Sequence, residues 1–412
     1  MIKKISIHQL TPGMYIHDLN CSWVVHPLYP NQFKVIDEPK VEEIHALGVR
    51  ELYIDTRRGK GIADAPDALE VREALERELC DLAANLPNGT EPRVSLREEA
   101  LSAAKIHDDA ARVVNRMMGD IRMGEQTALE DIDSTVEAIV ESVLRNSNAL
   151  TGLRLINTKD GYTFLHSVSV GTLFATFCSA LTLGKDIARH ATLGGLLHDI
   201  GKMKVPHDVL NKPGRLSPEE FDTMKGHVAQ GVDVLTQIPG LSQYVLDISM
   251  HHHERFDGSG YPRGLKGSAI STIGQMAAIV DVYDAITSAR VYHEPINPAE
   301  AIRKLQEWSK FHFNEELVRH FIRCIGIYPV GSVVSLESGL IGIVVEHNSH
   351  NTLRPVVWIA YDTRKEADVT SPYDLDTSQP LGRGGGDRIT GFEAVDKWGI
   401  SARRSAFNEQ VH

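Results

Sequence analysis

His198 and Asp199 stand side by side at the end of an apolar run, Leu196-Leu197-His198-Asp199-Ile200-Gly201-Lys202. An ionised carboxylate buried in such a run costs several kcal/mol unless it is paired, and a bound cation meets that need. Adjacent helical residues point about 100° apart, so the two side chains converge on neighbouring ions only if Asp199 bridges them and His198 serves one. Further ligands must come from other helices. The candidates are His166 in Phe164-Leu165-His166-Ser167, His227 after Met224-Lys225-Gly226, the run His251-His252-His253, and Asp281 in Ile279-Val280-Asp281-Val282. Imidazole and carboxylate suit manganese, iron, zinc, nickel or cobalt, and the lack of paired thiolates disfavours a structural zinc site. Each candidate has a plainer reading on its own. A lone histidine is more often structural, Asp281 could cap a helix or pair with a cation, and three consecutive histidines occur in tags. Their company, and the ordered glycine turn that follows them, argue for metal chemistry.

That turn is His252-His253-Glu254-Arg255-Phe256-Asp257-Gly258-Ser259-Gly260-Tyr261-Pro262. Its small residues let backbone come close to a site or a partner, or simply build a rigid loop around Arg255 and Asp257. Together with His198-Asp199 it resembles the HD-GYP family of bacterial cyclic di-GMP phosphodiesterases, a branch of the HD metal-dependent phosphohydrolases. The resemblance spans residues 145–325. It takes in Asn211-Lys212-Pro213-Gly214-Arg215-Leu216, Gly226-His227 and Asp281-Val282-Tyr283-Asp284-Ala285-Ile286-Thr287-Ser288-Ala289-Arg290. It implies a binuclear centre with one ion on His166, His198, Asp199 and Asp281 and the other on Asp199, His227, His252 and His253. Iron or manganese is expected there, with nickel, cobalt, zinc and magnesium as further candidates. His251 falls one place before the family pair and is read as structural. Some members place a glutamate one turn before the first histidine to hold a third metal; Tyr162 occupies that position here, so two ions are expected.

Two divalent ions against two carboxylates leave roughly +2 in the pocket, enough to hold a phosphodiester. The expected chemistry is in-line attack by an activated water, with the 3′ oxygen leaving. Asp199 and Lys202 are the expected catalytic residues, Lys202 by stabilising charge beside the phosphate or by pairing with the carboxylate. The resemblance assigns substrate contacts to Arg290, Lys202, Tyr261 and Asp284, the guanidinium of Arg290 toward a phosphate; His293 stands where a second basic residue is usual. It implies hydrolysis of cyclic di-GMP to linear pGpG and on to GMP, lowering a bacterial second messenger and so affecting biofilm, motility or virulence. Two alternatives stand beside it: another cyclic dinucleotide as substrate, or a sensor that binds cyclic di-GMP without turnover. Diguanylate cyclases (GGDEF proteins) or adaptors meeting the GYP loop, and a homodimer, are the implied protein partners.

The elements that must position these residues are legible from pattern. The expected fold is mainly α: an all-helical HD-type bundle with a small α+β N-terminal module and a small β C-terminal appendage. The expected domains are residues 1–93 (module and linker), 94–144 (connecting helices), 145–327 (catalytic domain) and 328–412 (appendage and flexible tail). In the module, strands are expected over 4–10, 15–19, 23–28 and 51–54, with a helix over 41–47 ended by Gly48. A helical stretch around 69–86 falls in the linker. Ser217-Pro218-Glu219-Glu220 and Asn297-Pro298-Ala299-Glu300 each offer a polar N-cap, proline at N1 and glutamate at N3. The last thirty residues, with Gly382, Gly384, Gly385 and Gly386, read as poorly ordered. The module has no readable ligand site, and its expected role is regulation or oligomer formation.

Composition bounds the rest. The 412 residues allow two or three domains, each with a core of its own. The 43 lysines and arginines against 55 acidic residues, net −12, argue against DNA or an anionic membrane as a general partner, so an anionic ligand must meet a local positive field. Four scattered cysteines indicate a reducing compartment, the cytoplasm. No export signal is read at the start, and no run reaches the ~20 apolar residues of a membrane span.

Overall fold

The computed structural model describes residues 1–21, 32–84, 92–125, 130–153, 162–212, 214–288, 295–348, 351–379, 387–394 and 397–398. The chain begins with β1 (Ile2–Ser6), β2 (Tyr15–Asp18), β3 (Phe33–Lys34), α1 (Glu38–Ala46) and β4 (Glu51–Asp55). The strands form an antiparallel sheet in the order β1-β4-β2-β3. Alternation along β1, β2 and β4 turns Ile5, Ile16, Leu52 and Ile54 onto a core shared with Ile44 of α1. Asp37 caps α1 by accepting from the Lys40 amide, and Gly48 leaves the helix at φ +78°, a conformation glycine reaches without strain. The first strand is shorter than expected because Ser6 and Gln9 form a reciprocal capping box that turns residues Ile7–Gln9 into a 3-10 helix. The strand expected over 23–28 lies outside the described residues.

The helices are α2 (Ala68–Ala84), α3 (Leu96–Met123), α4 (Glu130–Leu153), α5 (Tyr162–Ala180), α6 (Lys185–Leu197), α7 (His207–Leu210), α8 (Pro218–Lys225), α9 (His227–Thr236), α10 (Gln243–His251), α11 (Thr272–Thr287), α12 (Pro298–Trp308) and α13 (Glu315–Ile325). Two of them, α5 and α11, are apolar around their circumference. That pattern belongs to helices with no solvent face, and both run through the core, where Val168, Leu173, Phe174 and Phe177 meet Ile279, Val280, Tyr283 and Phe321. The Phe177 and Phe321 rings meet edge to face at 5.2 Å; each such side chain, fully buried, contributes about 1.5–3 kcal/mol. Histidine or aspartate on these helices is therefore carried by elements that cannot shift without opening the core.

Both capping sequences start helices. Ser217 and Glu220 exchange side-chain and backbone hydrogen bonds at α8. At α12 Asn297 accepts from the Ala299 amide, while Glu300 pairs with Arg303 rather than closing a capping box. After α13 the chain forms β5 (Val333–Leu336), β6 (Leu340–Glu346), β7 (Val356–Asp362), β8 (Ala367–Asp376) and β9 (Ile389–Phe392), an antiparallel sheet in the order β8-β7-β6-β5-β9. Within the end expected to be poorly ordered, β9 is an ordered exception: Phe392 pairs with Val334, and Ile389 packs on the core of the sheet. Gly382, Gly384, Gly385 and Gly386 lie outside the described residues. No helix among those described is long and apolar enough to cross a membrane.

The N-terminal module is seated on α12 through a buried polar seam. Glu307 Oε1 accepts from Asn20 Nδ2 at 2.9 Å and from Tyr53 Oη at 2.8 Å, and the Lys4 ammonium lies 2.7 Å away. The neighbouring Trp308 indole donates to Asn20 Oδ1 at 2.9 Å. Helix α2 also packs on both α12 and β1, so the segment expected as linker ties the module down.

One glycine sets how closely two elements approach the site. Gly201 lies in the 3-10 turn Ile200–Lys204, where an added Cβ would fall 1.9 Å from the His227 carbonyl oxygen and 2.4 Å from the Gly231 nitrogen. Both obstacles are backbone, so Gly201→Ala should push α9 away and lose about 1–3 kcal/mol of unfolding free energy in urea. A loss below about 0.5 kcal/mol, the range of an ordinary surface change, would contradict that close packing.

Candidate metal centre

Helix α6 buries Ala191, Leu193, Leu196 and Leu197, and this apolar face delivers the end of the helix into the interior. His198 caps it, and Asp199 leaves helical geometry to begin the 3-10 turn. The other histidines also sit at or near helix ends: His166 early in α5, His227 first in α9, and His252 and His253 just beyond α10. All five are buried, as are Asp199 and Asp281.

Four of the five histidines use Nδ1 in the same way. It lies 2.8 Å from the Gly195 carbonyl for His198, 2.7 Å from Met224 for His227, and 2.8 Å from Ser249 for His252. For His166 the partner is the Asp284 carboxylate, at 2.7 Å. Each partner is an acceptor, so each Nδ1 carries the proton and donates it, and Nε2 is left with its lone pair, as a metal ligand requires.

Those Nε2 atoms gather around Asp199. His198 Nε2 lies 3.3 Å and His166 Nε2 3.7 Å from one carboxylate oxygen, Oδ2. His227 and His252 approach the other, Oδ1, at 3.4 and 3.8 Å. Two sets of potential ligand atoms, each lying within 4.8 Å of one another, share Asp199: His166, His198 and Asp199 on one side, and Asp199, His227, His252 and His253 on the other. Asp281 closes the first, its Oδ1 3.1 Å from His166 Nε2 and 3.8 Å from His198 Nε2, while its Oδ2 lies 3.7 Å from His253 Nδ1.

The chemistry of these atoms fits metal ions. His198 Nε2, Asp199 Oδ1, His253 Nδ1 and Asp281 Oδ2 are all buried without a hydrogen-bond partner, an arrangement that is costly unless a cation satisfies it. Two clustered His/Asp ligand groups sharing a carboxylate are the ligand arrangement of a binuclear divalent metal centre.

The electrostatics agree. Burial pushes His227 down to about 4 and His252 down to about 3, and holds His253 well below the usual imidazole range, so these rings are neutral donors. Burial alone would raise the Asp199 carboxyl; Lys202 and His198 outweigh it and hold the group well below the ordinary carboxylate range. Asp281 is likewise held well below that range against its burial, by the surrounding imidazoles of His166, His253 and His198. The Lys202 ammonium lies 2.5 Å from Asp199 Oδ2, its side chain 15% exposed.

Among the expected substrate contacts, Tyr261 lays its ring 4.7 Å from that of His253, tilted by 34°. Asp284 does not face the pocket. It is fully buried behind His166 and also accepts from Ser288 Oγ at 3.3 Å, a position from which its carboxylate orients the imidazole. The sequence carries the signal for this: Asp281 and Asp284, three apart on α11, share a helix face. His251 turns away to Ser271 Oγ at 3.2 Å and packs against Gly274, a structural position. Arg290, His293 and the Tyr162 side chain lie outside the described residues.

Sequence comparison bears on the same parts of the chain. Residues 147–317 match the HD domain family, and residues 2–132 match a family described as a domain of unknown function (DUF3391). The chain is similar almost end to end to a cyclic di-GMP phosphodiesterase of Pseudomonas aeruginosa, with 39% identity over 401 residues, 97% of this chain and 94% of that one. A cyclic di-GMP phosphodiesterase of Thermotoga maritima is 35% identical over 200 residues, 48% of this chain and 53% of its own. A 3′3′-cGAMP-specific phosphodiesterase of Vibrio cholerae is 38% identical over 153 residues, 37% and 35% of the two chains.

Proposed function

The chain belongs to the HD-GYP family of cyclic di-GMP phosphodiesterases, and from that premise we propose that it hydrolyses cyclic di-GMP to linear pGpG and then to GMP. The observation that carries this reading is the pair of buried ligand groups sharing Asp199. Two divalent cations held there, iron or manganese for a mixed imidazole and carboxylate set, would supply positive charge for the phosphate and an activated water.

The chain's own residues do the rest. Lys202 keeps its ammonium on Asp199 and is more open to solvent than the carboxylate it pairs with, so it can reach a phosphate oxygen and stabilise charge developing there. Tyr261 offers an aromatic face beside His253, against which a guanine base can stack. Arg290 is assigned to a phosphate by its motif. A diguanylate cyclase or an adaptor meeting the glycine loop would do so at its exposed tip, Pro262, Arg263 and Gly264.

The test is turnover of a panel of cyclic dinucleotides, including cyclic di-GMP and 3′3′-cGAMP, with manganese or ferrous iron, the products separated by chromatography. Cyclic di-GMP should be consumed first, with pGpG appearing before GMP. Faster consumption of 3′3′-cGAMP would move the substrate assignment to the second dinucleotide, and tight binding of cyclic di-GMP without turnover under either metal would make the protein a sensor.

A further inference from the structure

The glycine loop after His253 is held from two ends. At the metal end, the Tyr261 amide donates to the His253 carbonyl at 3.1 Å and the two rings pack together. Gly260 is wedged there, since a Cβ would meet the Arg255 nitrogen at 2.3 Å and the His253 carbonyl oxygen at 2.5 Å. The Glu254 carboxylate accepts from the Arg263 and Leu265 amides, each at 2.9 Å, and closes the loop on itself. At the other end the N-terminal module takes hold. Arg50 Nε donates to Asp257 Oδ2 at 2.9 Å, while Asp257 Oδ1 accepts from the Ser259 amide at 3.0 Å and from its hydroxyl at 2.6 Å. Gly48 presses on the same serine, for a Cβ there would fall 2.5 Å from Ser259 Cβ.

We propose that the N-terminal module is a clamp on the glycine loop, with Arg50 a positioning residue that acts through Asp257, Ser259 and Tyr261 on the metal ligand His253. Two features make the contact a built one. One carboxylate joins the module to the loop, gripping Arg50 with one oxygen and Ser259 with the other. The buried seam around Glu307 fixes the module independently of that ion pair, so Arg50 and Gly48 approach the loop from a rigid base. Because Gly260 and Tyr261 leave no slack between Ser259 and His253, release of Asp257 is transmitted to the ligand. The clamp gives the domain of unknown function a mechanical role, that of holding the loop on the side of Asp257 and Ser259.

The inference rests on the proposed metal centre but not on the substrate, and its test reads metal binding. Manganese titration by calorimetry on the full chain, with thermal unfolding alongside, compares wild type, Arg50→Ala, Asp257→Ala and the double variant. Arg50→Ala should weaken the second manganese site about fivefold, a coupling of the size that distant positions exert. The unfolding midpoint of the chelated protein should move by less than about 2 °C, because a partly exposed ion pair contributes little to stability. Asp257→Ala, which also frees Ser259, should weaken the site further, and the double variant should be no worse than Asp257→Ala alone. Two manganese sites of wild-type affinity in Arg50→Ala, or losses that simply add in the double variant, would overturn the clamp. Manganese binding by the unmutated protein with no turnover of any cyclic dinucleotide would instead remove the enzymatic reading, while the loss of about fivefold in Arg50→Ala would still support the clamp.

Discussion

Asp199→Ala is expected to lose turnover by a thousandfold or more, about 4 kcal/mol of barrier, and to bind fewer than two manganese ions per chain. Among the described residues no other side chain belongs to both ligand groups, so its removal leaves each group of imidazoles without the carboxylate that joins them. Stability separates loss of metal from loss of fold. Metal at a hundred times its dissociation constant stabilises the native state by about 2.7 kcal/mol, and this increment should shrink in the variant. The chelated variant also loses stability, because removing Asp199 leaves the Lys202 ammonium, 2.5 Å from its Oδ2, without a counter-charge, so the quantity compared is the increment that metal adds to each protein. Calorimetry with and without chelator, paired with metal analysis after desalting, decides the matter: a variant that keeps two ions and turns over within tenfold of wild type would sink the shared-carboxylate centre.

How much of this was legible in the sequence depends on the range of the interaction that fixes each part. The candidate ligands are readable because a histidine or aspartate inside an apolar run contradicts its surroundings; His198, Asp199 and Asp281 stand out in that way. The capping signals at Ser217 and Asn297 were local as well, and both start helices. What escaped were contacts between residues far apart in the chain. Arg50 lies 207 residues from Asp257, and Asn20 lies 287 from Glu307; neither pair carries a pattern that points to its partner. The short first strand was missed because Ser6 and Gln9 favour a capped turn over continued pairing, and β9 because pairing with β5 orders a segment whose glycine-rich neighbourhood suggests none. For Asp284 the motif records that a carboxylate is present and not which way it faces; its burial against the His166 ring favours an orienting role over the expected substrate contact.

That carboxylate supports the second large effect. Asp284→Ala should lower manganese affinity at the first site by about 10–100-fold, the usual consequence of removing the partner that orients a ligating histidine. The imidazole of His166 lies between two carboxylates: Asp284 2.7 Å from Nδ1 and Asp281 3.1 Å from Nε2. With Asp284 present the proton stays on Nδ1, and Nε2 is available to a cation shared with Asp281 and Asp199. Without it, the buried Nδ1–H loses this acceptor, and the ring gains by moving its proton to Nε2, where Asp281 can accept it. That tautomer cannot ligate through Nε2. Because the defect is one of affinity, raised manganese should restore much of the turnover in Asp284→Ala, whereas Asp199→Ala should stay inactive at any metal concentration. A substrate contact predicts the opposite pattern, a raised KM for cyclic di-GMP with metal affinity unchanged. The two readings of Asp284 thus separate along two axes, metal and substrate, and titrating the variant along each in turn distinguishes a residue that holds His166 from one that touches the dinucleotide.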